Sequence, residues 1–325
     1  MRYLVNESVN PHFNLAFDEY CLESSAIDEP VFYLWRNAPS VIIGLNQNAY
    51  GEADLRYLEE NGIILARRVT GGGAVYHDLS NLNYSFVGKS SEIDPASCMT
   101  LIRDALKSLG VPAQISGRND ILVDGLKVSG YARRVWKDRT LIHGTLMYDV
   151  DLEALRLALG APEGKLKASG IASVRSKVAN LKDYLPAGFS LMQMKEAIFG
   201  SLSGGDKQYI LPESFVAEVA KREKEKFSTP EWVFGRSPAT EFRRKRKFAC
   251  GTVELFLSVK RGVISEIHFG GDFIGSYSAL ELEEALTGAE FQPSALSSVL
   301  RLYPVSNYFD GMTQEEFVDF VLEPF

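Results

Sequence analysis

Apolar positions along the chain fall into short patterns of two kinds, one with helical period and one with strand character. In NPHFNLAFDEYCLESS, Phe13, Ala16, Phe17, Tyr20 and Cys21 recur at three- and four-residue spacing, the period of one helix face. Asn10 can cap this helix, and Pro11 suits its first position, where a missing N–H is not needed. In DPASCMTLIRDALKSLG the stripe is Cys98, Leu101, Ile102, Ala105, Leu106 and Leu109, with Asp94 as cap and Gly110 as stop. The runs SVIIGL (40–45), GIILARRV (62–69) and LNYSFVG (82–88) are short, apolar and rich in β-branched residues, which predicts buried strands. Asp124-Gly125 lies between two further β-type runs and predicts a type I′ hairpin, with TLIHGTLMYDV (140–150) as a partner strand. Helices alternating with hairpin-linked strands predict an α+β fold with a mixed or largely antiparallel sheet.

The text changes character in RSPATEFRRKRKF, from 236 onward. A proline, small polar residues and the five basic residues at 243–247 read as a linker, with a docking patch for an acidic protein as the alternative. Beyond it, CGTVELFLSVKRGVISEIHFGG reads as strand, turn and strand. EALTGAEF, SALSSVLRLY and TQEEFVDFVLE then read as short helices. A small C-terminal α/β domain follows, of about 80 residues, a size that can fold alone. The expected boundaries are 1–244 and 245–325.

Composition narrows the classes. The 325 residues are 46% hydrophobic and 24% charged, ordinary for a soluble globular chain. The formal net charge of −7 argues against bulk binding to nucleic acid or to an anionic membrane. Cys21, Cys98 and Cys250 are far apart and form no CxxC, so neither a disulfide framework nor a cysteine zinc site is expected, and a reducing compartment fits. The first residues hold no apolar signal core, and no apolar run is long enough for a membrane span. A cytoplasmic monomer is the expectation.

The candidate chemistry centres on RRVTGGGAVYHDLSNLN, residues 67–83. Three glycines in a row remove side chains where something must approach the backbone closely. The pattern is not a P-loop, because Asn83 stands where Gly88-Lys89-Ser90 would need an upstream glycine. It is not a dinucleotide fingerprint either, because Tyr76 takes the last glycine position. Arg67 and Arg68 beside exposed backbone donors would make an anion site; a tight turn between strands is the bland alternative. His77 and Asp78 could simply bond the loop shut. Lys127 interrupts an apolar strand just after the hairpin. It is either an edge lysine that blocks aggregation or a cleft-facing cation for a carboxylate or phosphate. Ser129 and Gly130 are small enough for a ligand to lie on that strand.

Together these stretches resemble the lipoate–protein ligase family, within the biotin/lipoate ligase superfamily. RRVTGGGAVYHDLSN is similar to the family's RRxxGGGxVxHDxGN, and SGRNDILVDGLKVSG to its SGRNDI…KxSG segment. FNLAFDEY, YLWRNAPSVIIGLNQN (33–48), HGTL (143–146), SVRSKVANL (173–181) and WVFGRSP (232–238) also match. One departure is Ser80, where the family has glycine, and strain there is a consequence to look for. The resemblance implies a biotin/lipoate ligase-like catalytic domain with a small C-terminal accessory domain, which is expected to act as a lid because an acyl-adenylate must be shielded from water. It also implies a two-step reaction: lipoate and MgATP give lipoyl-AMP and pyrophosphate, and the acyl group then passes to a lysine. That lysine would lie on a lipoyl domain of a 2-oxoacid dehydrogenase E2 subunit or on the glycine-cleavage H protein.

Residue roles follow from that resemblance. The substrate carboxylate is already ionised at neutral pH, so the first step needs charge neutralisation, not a base. Lys127 would serve the carboxylate and the α-phosphate. Arg68 and the backbone from Gly71 through Gly72, Gly73, Ala74 and Val75 to Tyr76 would hold the nucleotide, with Asn119 beside it. Asp120 could hold Mg²⁺. Lys127, His77, Ser129, Gly130 and His143 would meet lipoate, its apolar tail in a slot lined from 33–46 and 75–86. An ATP-independent lipoyl or octanoyl transferase of the same superfamily is the rival, although Cys98 on an apolar helix stripe does not suit a cysteine nucleophile. A biotin ligase is disfavoured, because its GRGRxGR loop is absent. A silent lipoyl-protein-binding scaffold is the reading from another class.

Overall fold

The computed structural model describes residues 1–45, 47, 49–117, 119–159, 177–203, 205, 208–235, 240–273 and 275–323. Arg118, 173–176 of the SVRSKVANL segment and 236–238 of WVFGRSP lie outside the described residues. The chain divides into two compact units. The first contains Met1–Leu45, Ile64–Arg156 and the described residues of 169–228. The second contains the described residues of 46–63, 157–168 and 229–325.

The first unit is built on a mixed seven-stranded sheet. Its strands are β1 (Arg2–Tyr3), β2 (Val31–Trp35), β6 (Asn81–Lys89), β7 (Gln114–Ser116), β8 (Asp120–Val123), β9 (Leu126–Trp136) and β10 (Arg139–Met147). They run in the order β1-β2-β6-β10-β9-β8-β7, antiparallel except for β1 beside β2. A smaller sheet pairs β3 (Ser40–Ile43) with β4 (Ile64–Arg67) in parallel and with β5 (Val75–His77) antiparallel.

Strand alternation gives the large sheet two unlike faces. One face carries Phe32, Leu34, Leu82, Tyr84, Phe86, Ile142 and Leu146, which bury against the helix Pro95–Ser108. In that helix Asp94 caps as expected, but Met99 is buried and Leu101 is 40% exposed, so the stripe is rotated from the expected one. The other face carries Tyr33, Trp35, Asn81, Asn83, Ser85 and His143, all buried. The helix Pro11–Glu23 bonds to this polar face through Asp18. It is capped by Asn10, yet it is not one-sided: Asn14, Asp18 and Glu19 are buried along with Leu15, Ala16, Phe17, Cys21 and Leu22. Burying a polar group is costly unless it is paired, and each of these three is.

Asp124 (φ 51°) and Gly125 (φ 78°) form the β8–β9 turn with positive φ at both central residues, the requirement of type I′. Ser80 is not among the positive-φ residues. Its N–H donates to Asp78 Oδ1 at 2.8 Å, so serine sits there without the strain that glycine would relieve.

In the second unit, β11 (Thr240–Phe248), β12 (Gly251–Lys260) and β13 (Val263–Gly271) form an antiparallel sheet with Ala279–Leu286, Pro293–Leu300 and Gln314–Leu322 as helices. The basic run 243–247 is therefore the middle of a strand and not a linker. Several of its side chains are held by partners: Arg244 donates to the carbonyls of Phe320 and Val321, Arg246 meets Glu323 at 2.8 Å, and Lys245 meets Glu254. The expected cut after residue 244 falls inside β11. The described residues of 46–63 join this unit because Tyr50 stacks on Phe234 and meets Phe291 edge-on, and Arg56 pairs with Glu315 at 2.9 Å and with Asp319.

Candidate active site

The lysine comes first. β9 is not an edge at Lys127: β8 lies on one side, and on the other Lys127 exchanges backbone bonds with Lys177 and Ala179 at 2.8 and 3.1 Å. The aggregation-blocking reading is thereby removed. The β8–β9 ladder slips by one residue: Ile121 faces Ser129 while Leu122 faces Lys127, which leaves Val128 as an extra residue. A bulge of this kind re-aims the side chains around it. Lys127 and Gly130, three apart, therefore share one face. Lys127 Nζ lies 2.8 Å from Asp120 Oδ1, and Asp120 is the cross-strand partner of Gly130. A Cβ on Gly130 would stand 2.7 Å from both Cε and Nζ of Lys127. Gly130 is the floor on which the ion pair rests. Ser129 is turned to the other face, buried, with its hydroxyl 3.4 Å from that of Tyr84. Asn119 donates from its side chain to the carbonyl of Tyr131 at 3.1 Å.

The glycine loop is held from beneath by arginine. Arg67, fully buried at the end of β4, donates to the carbonyls of Gly44 and Leu45. Arg68 is buried as well; burial lowers its pKa to about 10, so it stays charged at neutral pH. Its Nη2 donates to Gly71 O at 2.7 Å and Gly73 O at 2.8 Å, its Nη1 to Ile42 O and its Nε to Thr70 Oγ1 at 3.0 Å. The guanidinium thus folds the loop around itself. A trans peptide points its C=O and the following N–H in opposite directions, and no peptide here is cis. With the Gly71 and Gly73 carbonyls drawn onto Arg68, the N–H groups of Gly72 and Ala74 face away from it. Gly72 adopts φ 94°, and Gly44 must lack a side chain because its Cβ would sit 2.1 Å from Gly72 O.

A buried polar chain ties this loop to the large sheet. Thr70 Oγ1 is 2.8 Å from His143 Nε2, and His143 Nδ1 is 2.6 Å from Asp18 Oδ2. Asp18 also accepts from Ser85 at 2.8 Å and from Tyr33, while Trp35 Nε1 donates to Ser85. Arg134 adds a second tether, donating to Val69 O at 2.9 Å. His77 does not bond the loop shut. Asn37 donates to its Nδ1, its Nε2 has no partner among the described residues, and burial first, then Arg68 and His143, lower its pKa to about 3.

Asp18, Tyr33, Thr70 and Ser85 carry this network, and the sequence reading assigned none of them. The buried acid in FNLAFDEY was the available signal, since an aspartate on an apolar helix needs a partner.

The remaining surfaces offer less. Two grooves of about 390 and 410 Å³ are lined by neither Lys127, Asp120 nor the glycine loop. The three cysteines are buried, with thiol pKa values raised by burial, Cys98 to about 12. Among the described residues no three His, Cys, Asp or Glu gather to hold a metal, and no helix is long and apolar enough to cross a membrane.

Comparison with known proteins identifies the family. Residues 10–203 match the lipoyl protein ligase A/B catalytic domain family, and 237–321 match the bacterial lipoate protein ligase C-terminus family. The lipoate-protein ligase LplJ of Bacillus subtilis is 36% identical over 99% of this chain and 100% of its own. A chain from the archaeal lipoylation system of Thermoplasma acidophilum, a bipartite lipoate protein ligase and its E2 lipoyl domain, superposes with TM-score 0.62 at 32% identity. It covers 72% of this chain and 96% of that one. A lipoate-protein ligase A bound with ATP superposes with TM-score 0.61 at 31% identity, over 72% and 98%. With both family regions present and a full-length relative at this identity, the chain belongs to the lipoate–protein ligase family.

Proposed function

We propose that this ATP-dependent ligase activates lipoate at Lys127 and transfers the lipoyl group to a lysine of a lipoyl domain. The observation that carries the assignment is the Lys127–Asp120 pair resting on Gly130. It lies on the same sheet face as His143, to which the glycine loop is bonded through Thr70. In the first step a lipoate carboxylate oxygen attacks the α-phosphorus of ATP, and the bond to the β-phosphate bridging oxygen breaks, so that pyrophosphate leaves. Both reactants are anions, and Lys127 lowers the barrier as a point charge between them. The N–H groups of Gly72 and Ala74, turned outward by Arg68, are placed to receive phosphate oxygens. Arg68 thus serves the nucleotide through the loop.

A metal arriving with ATP needs one or two carboxylates plus the phosphates, and Asp120 fits that limited demand. Bound Mg²⁺ would neutralise phosphate charge. In the second step a neutral lysine amine of the acceptor attacks the acyl carbon, AMP leaves, and the amine's proton passes to solvent. Between the steps the adenylate must be kept from water, the role we assign to the C-terminal region because the chemistry needs such a shield. The acceptors in this reading are E2 lipoyl domains and the glycine-cleavage H protein, in line with the E2 lipoyl domain that accompanies the archaeal relative.

Mixing the purified protein with lipoate and MgATP, without acceptor, should release pyrophosphate and leave lipoyl-AMP detectable by mass spectrometry. Adding an apo lipoyl domain should then raise its mass by one lipoyl group. Acyl transfer from a lipoylated or octanoylated protein without ATP, and no pyrophosphate release, would place the chain among the transferases instead.

A further inference from the structure

We propose that Asp18 is a positioning residue for adenylate formation, acting through His143 and Thr70 on Arg68 and the glycine loop; this rests on the ligase reading above. Asp18 is fully buried on the helix Pro11–Glu23, and its carboxylate accepts from Tyr33, Ser85 and His143. A helix position inside a protein core does not need a charge, and a leucine there would fill space without desolvating an anion. What the carboxylate does is decide a sequence of hydrogens.

For a neutral imidazole, donor counting gives one sequence. Asp18 Oδ2 only accepts, so His143 Nδ1 carries the hydrogen. Arg68 Nε only donates, so Thr70 Oγ1 accepts from it. In a neutral imidazole Nε2 then holds the lone pair, and the hydrogen of the Thr70 hydroxyl is directed to it. With a neutral imidazole every group in the chain is used once in the correct sense. The aspartate and guanidinium charges stand at the two ends. Four links thus join a buried acid to the two carbonyls, Gly71 and Gly73, whose orientation turns the loop's N–H groups outward. Asp18→Asn breaks the count whichever way the amide is turned. Facing His143 with its NH₂, it forces the opposite tautomer and displaces the Thr70 hydrogen. Facing Tyr33 and Ser85, it leaves their hydrogens without the carboxylate.

The relay is in series, so cutting any link should have the same effect as cutting two. The test compares Asp18→Asn, Thr70→Val, Thr70→Ser and the Asp18→Asn/Thr70→Val double variant. The readouts are pyrophosphate release with lipoate and MgATP, the KM for each substrate, and the melting temperature. A loop displaced by about 1 Å costs on the order of 10²-fold. We expect each of Asp18→Asn and Thr70→Val to lose tenfold to 10²-fold in kcat/KM for ATP. The double variant should be no worse than the poorer single, and Thr70→Ser, which keeps the hydroxyl, should stay near wild type. Multiplicative losses in the double variant would overturn the proposal, because independent sites add in free energy. A rise confined to the KM for lipoate would overturn it too, placing Asp18 at the substrate tail. If Asp18→Asn does not fold, Thr70→Val decides alone: folded and fully active, it refutes the relay. Failure of the wild-type protein to release pyrophosphate would refute the ligase reading, a separate outcome.

Discussion

Replacing Gly130 by alanine should disable the enzyme without unfolding it. The new Cβ would stand 2.7 Å from Lys127 Nζ and Cε and 3.3 Å from Asp120 Oδ1, and ordinary van der Waals contact begins at 3.4 Å. The ammonium must therefore retreat by at least the difference between 2.7 and 3.4 Å, and its long, flexible stem lets it do so. Gly130 has no positive φ, so alanine adopts its backbone conformation freely. Restricting the unfolded chain contributes about 0.4–1 kcal/mol of stability. Loosening an ion pair whose partners are more than a quarter exposed costs about 0–1 kcal/mol, so the two effects nearly cancel. The rate does not share that cancellation. A reacting or stabilising group displaced by about 1 Å loses on the order of 10²-fold, about 2.7 kcal/mol of barrier. Single-turnover pyrophosphate release at saturating lipoate and ATP, beside calorimetric melting, separates the two. A folded Gly130→Ala protein releasing pyrophosphate within about twofold of wild type would show that Lys127 does not act from this position.

Two further outcomes can be checked. Lys127→Ala should cut pyrophosphate release by about 10²–10³-fold with an unchanged far-ultraviolet spectrum, as expected when one electrostatic stabiliser is removed; near-wild-type release would remove Lys127 from the chemistry. His77 has a folded pKa of about 3, set first by burial, against about 6.5 when unfolded. Between those values only the unfolded chain binds the proton, so the stability is complete above about pH 6.5 and falls as pH drops toward 3. From pH 7 to 4.5 the wild type should lose about 2–3 kcal/mol more than His77→Gln in denaturant titrations, and equal losses would mean that His77 can ionise in place.

Much of this protein was legible in the sequence because local rules decide it. Asn10-Pro11 and Asp94-Pro95 start their helices where capping chemistry predicts, and Asp124-Gly125 makes its turn because few residues tolerate positive φ in succession. The consecutive glycines and Lys127 were visible as candidates for the same reason: their residue types are improbable without a cause.

What the chain alone could not decide were contacts between segments far apart in sequence. The basic run 243–247 reads as a linker until Glu254, Glu323 and the carbonyls at 320 and 321 come beside it. Arg68 reads as a phosphate ligand until the loop is seen folded around it. Asp18 and His143, 125 residues apart, carry no mark that they meet. The bulge that brings Lys127 onto the face of Gly130 is a register choice between two strands, and strand alternation by itself would put residues three apart on opposite faces. Propensity and turn chemistry act over a few residues, and so are written in the sequence. Register, burial and the pairing of buried charge are settled only when distant segments close on one another, and in this protein those settle the candidate active site.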